Sequence, residues 1–262
     1  MKNDQGMKTA PLGEGIVLSR LAPYVDAFLN TAVRDYEILH QEEALPEDGR
    51  PLVFIAAHGP LWAPLPSILI LGKLFVDKGL GHLVAGFYPH PMLMRFPGMK
   101  ALFGRLGTPT KVYDLPGLVE RLQDGRINIT GTGPEGIFCH FSWEDPVGPF
   151  DNAGMVAAAV LSDATLCLLA HRGGEAWNIP LRLPFGLTVP LSRGLRGVNF
   201  PLGPVRKIKH YVVSCKRYVP ELTKEKLLAA EGREKRLLIG LESERIRVEL
   251  NRMMDELARR NP

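Results

Sequence analysis

His58 ends a short unbroken apolar run, Leu52-Val53-Phe54-Ile55-Ala56-Ala57, and stands at the mouth of the next helical pattern. Such a run reads as a strand buried on both faces of a mostly parallel sheet. In an open α/β sheet, ligands bind beyond the carboxyl ends of the strands. A histidine there suits general-base work, because its pKa lies near neutrality and small shifts make it a competent proton acceptor. A hydrogen-bonded structural histidine capping the strand is the other reading of position alone. The second candidate is the turn Gly131-Thr132-Gly133-Pro134-Glu135-Gly136, which follows the strand carrying Ile127 and Ile129. Its three glycines match the dinucleotide fingerprint literally, but that fingerprint must open a helix. Here the chain runs on through Phe138, Trp143, Pro146 and Pro149 instead. A carboxylate fixed between glycines at a strand end describes it better, with an exposed acid in a tight turn as the plainer alternative. Both sites follow central strands, so His58 and Glu135 are expected to approach one cleft at the carboxyl end of the sheet.

The elements that must hold these residues alternate strand and helix, which places the chain in the α/β class, with a mostly parallel central sheet flanked by helices. Apolar residues from Ile16 to about Glu43 recur at three- and four-residue steps and predict one long amphipathic helix. It packs on its own domain or lies on a membrane surface or acyl-chain groove. Helices are expected at 61–78, 91–106, 115–123 and 154–161, and strands at 82–87, 126–130 and 165–170. Asp114 has the look of an N-cap, with Pro116 in the first turn and Gly125 past the end. Strand-like pieces occur at 187–189 and 211–213. Ile246, Leu250, Met253, Met254 and Leu257 mark a long C-terminal helix. Residues 1–14 are polar and rich in turn formers, and are expected to be a flexible terminus; 15–262 is expected to form a single domain.

At 262 residues and 45% apolar composition the chain can bury one large core. Its net charge of +4 and pI near 9.0 suit an anionic substrate or membrane surface. From Glu221 to Pro262, ten Lys/Arg face nine Asp/Glu, which marks a solvated helix and not a nucleic-acid arm. Cys139, Cys167 and Cys215 have no paired spacing, and Cys139-His140 lacks partners at ligand distance, so neither a disulfide framework nor a metal site is expected. The thiols fit a reducing cytoplasm. No secretory signal is read at the N-terminus, and the longest apolar stretch, Ala63 to Val76, is short of the ~20 residues a spanning helix needs.

Taken in order, the two sites and the segments around them resemble the glycerolipid (lysophospholipid) acyltransferase superfamily, which includes lysophosphatidic acid and diacylglycerol acyltransferases. The resemblance covers roughly Leu52 to Gly174. His58 matches the histidine of the first motif, and Pro134-Glu135-Gly136 matches the third. Arg95-Phe96-Pro97-Gly98-Met99-Lys100 with Arg105-Leu106-Gly107 resembles the second segment, and Phe150-Asp151-Asn152-Ala153-Gly154 with the helix and strand after it the fourth. This implies an acyltransferase-like fold. It also implies transfer of a fatty acyl group from acyl-CoA or acyl-carrier protein to a hydroxyl, less often an amine, of a lipid-like acceptor. His58 would be the base, Gly59 an oxyanion donor, and Gly133, Pro134, Glu135 and Gly136 would hold the acceptor. Trp62, Arg95 and Arg105 would touch substrate. No bound cofactor or metal is implied, and the cytoplasmic face of a membrane is the implied location.

One departure stands out. Ala63 occupies the position of the family aspartate, which orients the imidazole and stabilises its protonated form; the equivalent acid of a serine protease is worth ~10⁴ in turnover. Three readings stay open: a weakened or non-catalytic relative, a substitution introduced at this position, or another acid in its place. The rivals to an acyltransferase are a non-catalytic acyl- or lipid-binding protein on the same fold, and an α/β-hydrolase-like esterase. The chain has no nucleophile elbow for the latter.

Overall fold

The computed structural model describes residues 15–47, 49–59, 63–86, 98, 114–136, 145–182, 197–201 and 206–260. Its strands are β1 (Ile16–Val17), β2 (Tyr36–Leu39), β3 (Leu52–Ala56), β4 (Val84–Gly86), β5 (Ile129–Thr132), β6 (Thr165–Arg172), β7 (Asn178–Arg182), β8 (Gly197–Pro201) and β9 (Tyr211–Tyr218). Seven of them form one sheet in the order β1-β4-β5-β3-β6-β9-β2, and β7 and β8 form an antiparallel pair. The large sheet is mostly parallel: β4, β5, β3 and β6 run together, and β2 is parallel to β9. Antiparallel contacts join β6 to β9 and β1 to β4.

The alternation of side chains along the central strands divides the core in two. Leu52 and Phe54 of β3, Cys167 and Leu169 of β6, and Tyr211, Val213 and Cys215 of β9 face helices α1 (Leu18–Ala32) and α2 (Leu65–Asp77). Val53, Ile55, Leu166, Leu168 and Val212 face the other layer, made by α3 (Leu115–Gln123), α4 (Gly154–Leu161) and the C-terminal α6 (Gly232–Arg260), with the short α5 (Lys224–Ala229) before it. Cys167 and Cys215 are buried free thiols that pack as small apolar groups. The expected cap of α3 is present: the Asp114 carboxylate accepts from the Gly117 amide at 3.0 Å, and Gly125 takes φ +74° beyond the helix end.

The long helix expected over 16–43 is four elements: β1, α1, β2 and a 3-10 turn at Gln41–Ala44. α1 stops at Ala32, Val33 turns extended, and Tyr36, Glu37, Ile38 and Leu39 pair in register with Tyr211, Val212, Val213 and Ser214. The apolar residues of this edge strand happened to continue the helical period, and backbone pairing with β9 decided the conformation. The buried stripe of α1 packs against α2 and the sheet, while Tyr24 on its outer side is exposed. The strand expected at 126–130 starts later, at Ile129, and β9 extends five residues past the piece read at 211–213. The expected helix at 91–106, the piece at 187–189 and the N-terminal 1–14 lie outside the described residues. Among the described residues no helix is long and apolar enough to cross a membrane.

The packing makes a graded prediction along α6, where Leu250 is fully buried and Val248 is exposed. Leu250→Ala should lower unfolding stability by about 2–5 kcal/mol. Val248→Ala should change it by no more than about 0.5 kcal/mol. Urea titration of the two variants checks this; equal losses would contradict the placement of α6.

Candidate functional site

β3 lies between β5 and β6, all three parallel, so the segments that follow their carboxyl ends meet at one edge of the sheet. Beyond β3 come Ala57, His58 and Gly59; beyond β5, Gly133 to Gly136; at the end of β6, His171 to Gly174. The structure therefore brings His58 and Glu135 together. The His58 amide donates to Glu135 Oε1 at 2.7 Å, and the Gly148 amide donates to Oε2 at 2.9 Å. The Gly59 amide faces the same carboxylate. Glu135 is only 2% exposed. Its pKa is raised: burial penalises the charged form more than the amides of Gly148, His58 and Gly59 favour it.

Glu135 is not the exposed acid of a tight turn: it is buried, and its two oxygens accept the amides of His58 and Gly148. The carboxylate is a tie that fixes the His58-Gly59 turn to the loop after β5.

Tight contacts explain the glycines. A Cβ at Gly133 would stand 2.2 Å from His58 Cδ2 and 2.7 Å from its Cβ, so the imidazole lies directly on this backbone. Gly136 has φ +55°, and a Cβ there would meet the Asp151 carboxylate at 2.7 Å. The Pro134 carbonyl accepts from the amides of Asp151 at 2.8 Å and Asn152 at 3.2 Å, which anchors the turn to the segment before α4. His58 is half-buried, and its Nδ1 bonds the Gly59 carbonyl at 2.9 Å. A carbonyl accepts only, so Nδ1 carries the proton and Nε2 the lone pair that a general base needs.

Ala63 is 1% exposed, in the turn before α2. Its carbonyl accepts from the Tyr211 hydroxyl at 2.7 Å, and its Cβ stands 3.5 Å from where a Gly59 Cβ would be. Position 63 thus adjoins the His58 turn.

Sequence reasoning missed a supporting chain from the C-terminal helix. Asn251 Oδ1 accepts from the Val147 amide at 2.8 Å, and Arg247 Nη1 donates to the Val147 carbonyl at 3.2 Å and to Asp145 at 3.0 Å. The next residue, Gly148, donates to Glu135. Trp177 is fully buried core: its ring meets Phe28 edge-on at 6.3 Å, and its Nε1 donates to the Arg206 carbonyl at 2.7 Å. Trp62, Trp143, Arg95, Arg105, Cys139 and His140 lie outside the described residues. Among the described residues, the one group with three metal-ligand atoms within 4.8 Å is His40, Glu42 and Glu43. Glu43 there already accepts from the Arg217 amide at 2.7 Å.

Comparison with solved structures finds 1-acyl-sn-glycerophosphate (LPA) acyltransferase PlsC from Thermotoga maritima. The match covers 92% of this chain and 80% of that one, with a TM-score of 0.51 and 16% identity. The chain has the fold of that acyltransferase. No family model matches the sequence, and a search of curated proteins finds no match.

The Glu135 tie has a measurable signature. Glu135→Gln keeps the shape but turns an NH₂ group towards a backbone N–H, and a buried donor left without an acceptor costs about 1–3 kcal/mol. Because the folded-state pKa of Glu135 is raised above its ordinary 4.5, its contribution to stability is fullest below that value and declines as pH rises through the folded-state pKa. The stability gap between parent and Glu135→Gln should therefore narrow as pH rises from 4.5. Urea denaturation at a series of pH values measures it; a gap that widens would show the opposite shift.

Proposed function

We propose that the protein is an acyltransferase that moves a fatty acyl group from an acyl-CoA or acyl-carrier-protein thioester to a hydroxyl, or an amine, of a lipid-like acceptor. The observation that carries this reading is His58 itself, held by Glu135 at the carboxyl end of parallel β3, on a fold shared with a lysophosphatidic acid acyltransferase. In the reaction His58 Nε2 takes the acceptor's proton as its oxygen attacks the thioester carbon. The tetrahedral intermediate then expels the thiolate, which receives that proton from the imidazolium. Acceptor recognition falls to the backbone of the Gly133 to Gly136 turn, beside which the imidazole lies. We assign association with an anionic membrane surface, on the cytoplasmic side, to the exposed side of α1 and the basic pI.

Ala63 favours a second reading, a non-catalytic acyl- or lipid-binding protein on the same fold, because no carboxylate at position 63 offsets the charge of a protonated His58. One variant separates the two. Ala63→Asp should raise acyl transfer at least about tenfold, a small part of the ~10⁴ attached to the equivalent acid in a serine protease. Adding His58→Ala should abolish the gain. The assay is release of free CoA from acyl-CoA with lysophospholipid, diacylglycerol and amine acceptors. Background rates in both parent and Ala63→Asp, with acyl-CoA bound, would leave the binding protein. Flotation with anionic liposomes should show binding at low salt that is lost at high salt; a protein that stays unbound at low salt uses α1 only for its own core.

A further inference from the structure

His171 stands on β6 at the level of the His58 turn, on the same face of the sheet as Leu169 and Tyr211. Its register partner on β9 is Val213, and the Ala57 amide donates to the Leu169 carbonyl at 2.8 Å just below it. The ring is 2% exposed and stacks on Tyr211, with centroids 5.7 Å apart and planes 13° from parallel. A Cβ at Gly59 would stand 3.8 Å from His171 Cε1 and 3.5 Å from the Ala63 Cβ. His171, Gly59 and Ala63 therefore meet at one spot beside the His58-Gly59 turn. The carbonyls of Ala57 and His58 face the ring, yet neither ring nitrogen reaches a partner in hydrogen-bond geometry.

That arrangement is costly for a residue that only fills space. Burial lowers the pKa of His171, so the ring is neutral near pH 7 and keeps one N–H and one lone pair, neither of them satisfied. The other titratable groups acting on it are Glu175 and His58, and Tyr211 is stacked against it. A phenylalanine would make the same stack without the penalty.

We propose that His171 is a positioning residue for His58, holding the His58-Gly59 turn from its buried side, where residue 63 offers only a methyl group. In this role the His171 N–H serves the Ala57 or His58 carbonyl, the two backbone groups that act on the ring. The turn is then clamped between His171 below and the Glu135 carboxylate, which takes its amides. Because His58 Nδ1 is bonded to the Gly59 carbonyl, the orientation of this turn sets the orientation of the imidazole.

The inference rests on His58 as the base, and its test reads His58 directly. Imidazole NMR of the parent should show His58 in one tautomer, protonated at Nδ1. His171→Phe should mix the His58 tautomers, because the turn that orients the imidazole loses its donor on that side. His171→Gln, which restores a donor, should recover the parent spectrum in part. In the CoA-release assay His171→Phe should lower kcat by about tenfold with little change in KM, the lower end of what losing a supporting partner costs in metal sites. An unchanged His58 spectrum in His171→Phe overturns the proposal. If the parent transfers no acyl group, the acyltransferase reading fails while the NMR comparison still decides the role of His171. Should His171→Phe not fold, His171→Met fills the space without a donor and takes its place.

Discussion

The site depends on a buried carboxylate that accepts backbone amides from separate segments. Taking Glu135 out of water penalises its charge, and its raised pKa records that penalty. What it receives in return are N–H groups at the carboxyl end of the sheet, where chain leaving a strand has no ladder partner. Those amides belong to the His58 turn and to Gly148, so the single side chain joins the turn after β3, the turn after β5 and the approach to α4. The order β5-β3 in the sheet is what makes this possible, since only adjacent parallel strands deliver both turns to the same edge. The glycines at 133 and 136 follow from the same constraint: once the turn is drawn in to reach His58, the imidazole and the Asp151 carboxylate occupy the space a Cβ would need.

The tie is reinforced from far along the chain. α6 buries Ile246, Leu250, Met253 and Leu257 against the sheet, while Arg247 and Asn251 on the same helix grip the backbone of Val147. The apolar face sets the position of α6, and that position aims two polar side chains at the segment ending in Gly148. Packing more than a hundred residues away in sequence thereby fixes an amide that touches Glu135. Loss of α6 docking and loss of site geometry are for this reason one event, not two.

Much of this was legible in the sequence wherever the signal was local. The apolar run 52–57 gave a buried strand, Asp114, Pro116 and Gly125 gave a capped helix, and the position of His58 followed from the strand before it. The stretch 33–44 misled because an edge strand's apolar residues can imitate the helical period, and only pairing with β9, far away in sequence, resolves it. Glu135 was located, but its burial was not legible, since whether an acid in a turn points out or in depends on amides that Gly148 and His58 supply from elsewhere. His171 was missed although it carries the signal that singled out His58, a histidine at the carboxyl end of a central strand. The reading ended that strand at Ala170, two residues short.

The alanine at position 63 is best understood from the backbone around it. The Tyr211 hydroxyl fixes the Ala63 carbonyl, and Gly174 lies so close that a Cβ there would stand 2.6 Å from both the Cα and the carbonyl oxygen of Ala63. Tyr211 is fully buried and Gly174 follows the end of β6, so the path of the chain at 63 is set by partners that hold its backbone, with Gly174 also lying against its methyl group. The methyl group brings neither charge nor hydrogen-bonding capacity to the spot where it meets Gly59 and His171. The His171 ring at that spot is kept neutral by burial, and a neutral ring cannot offset a positive charge on a neighbouring imidazole.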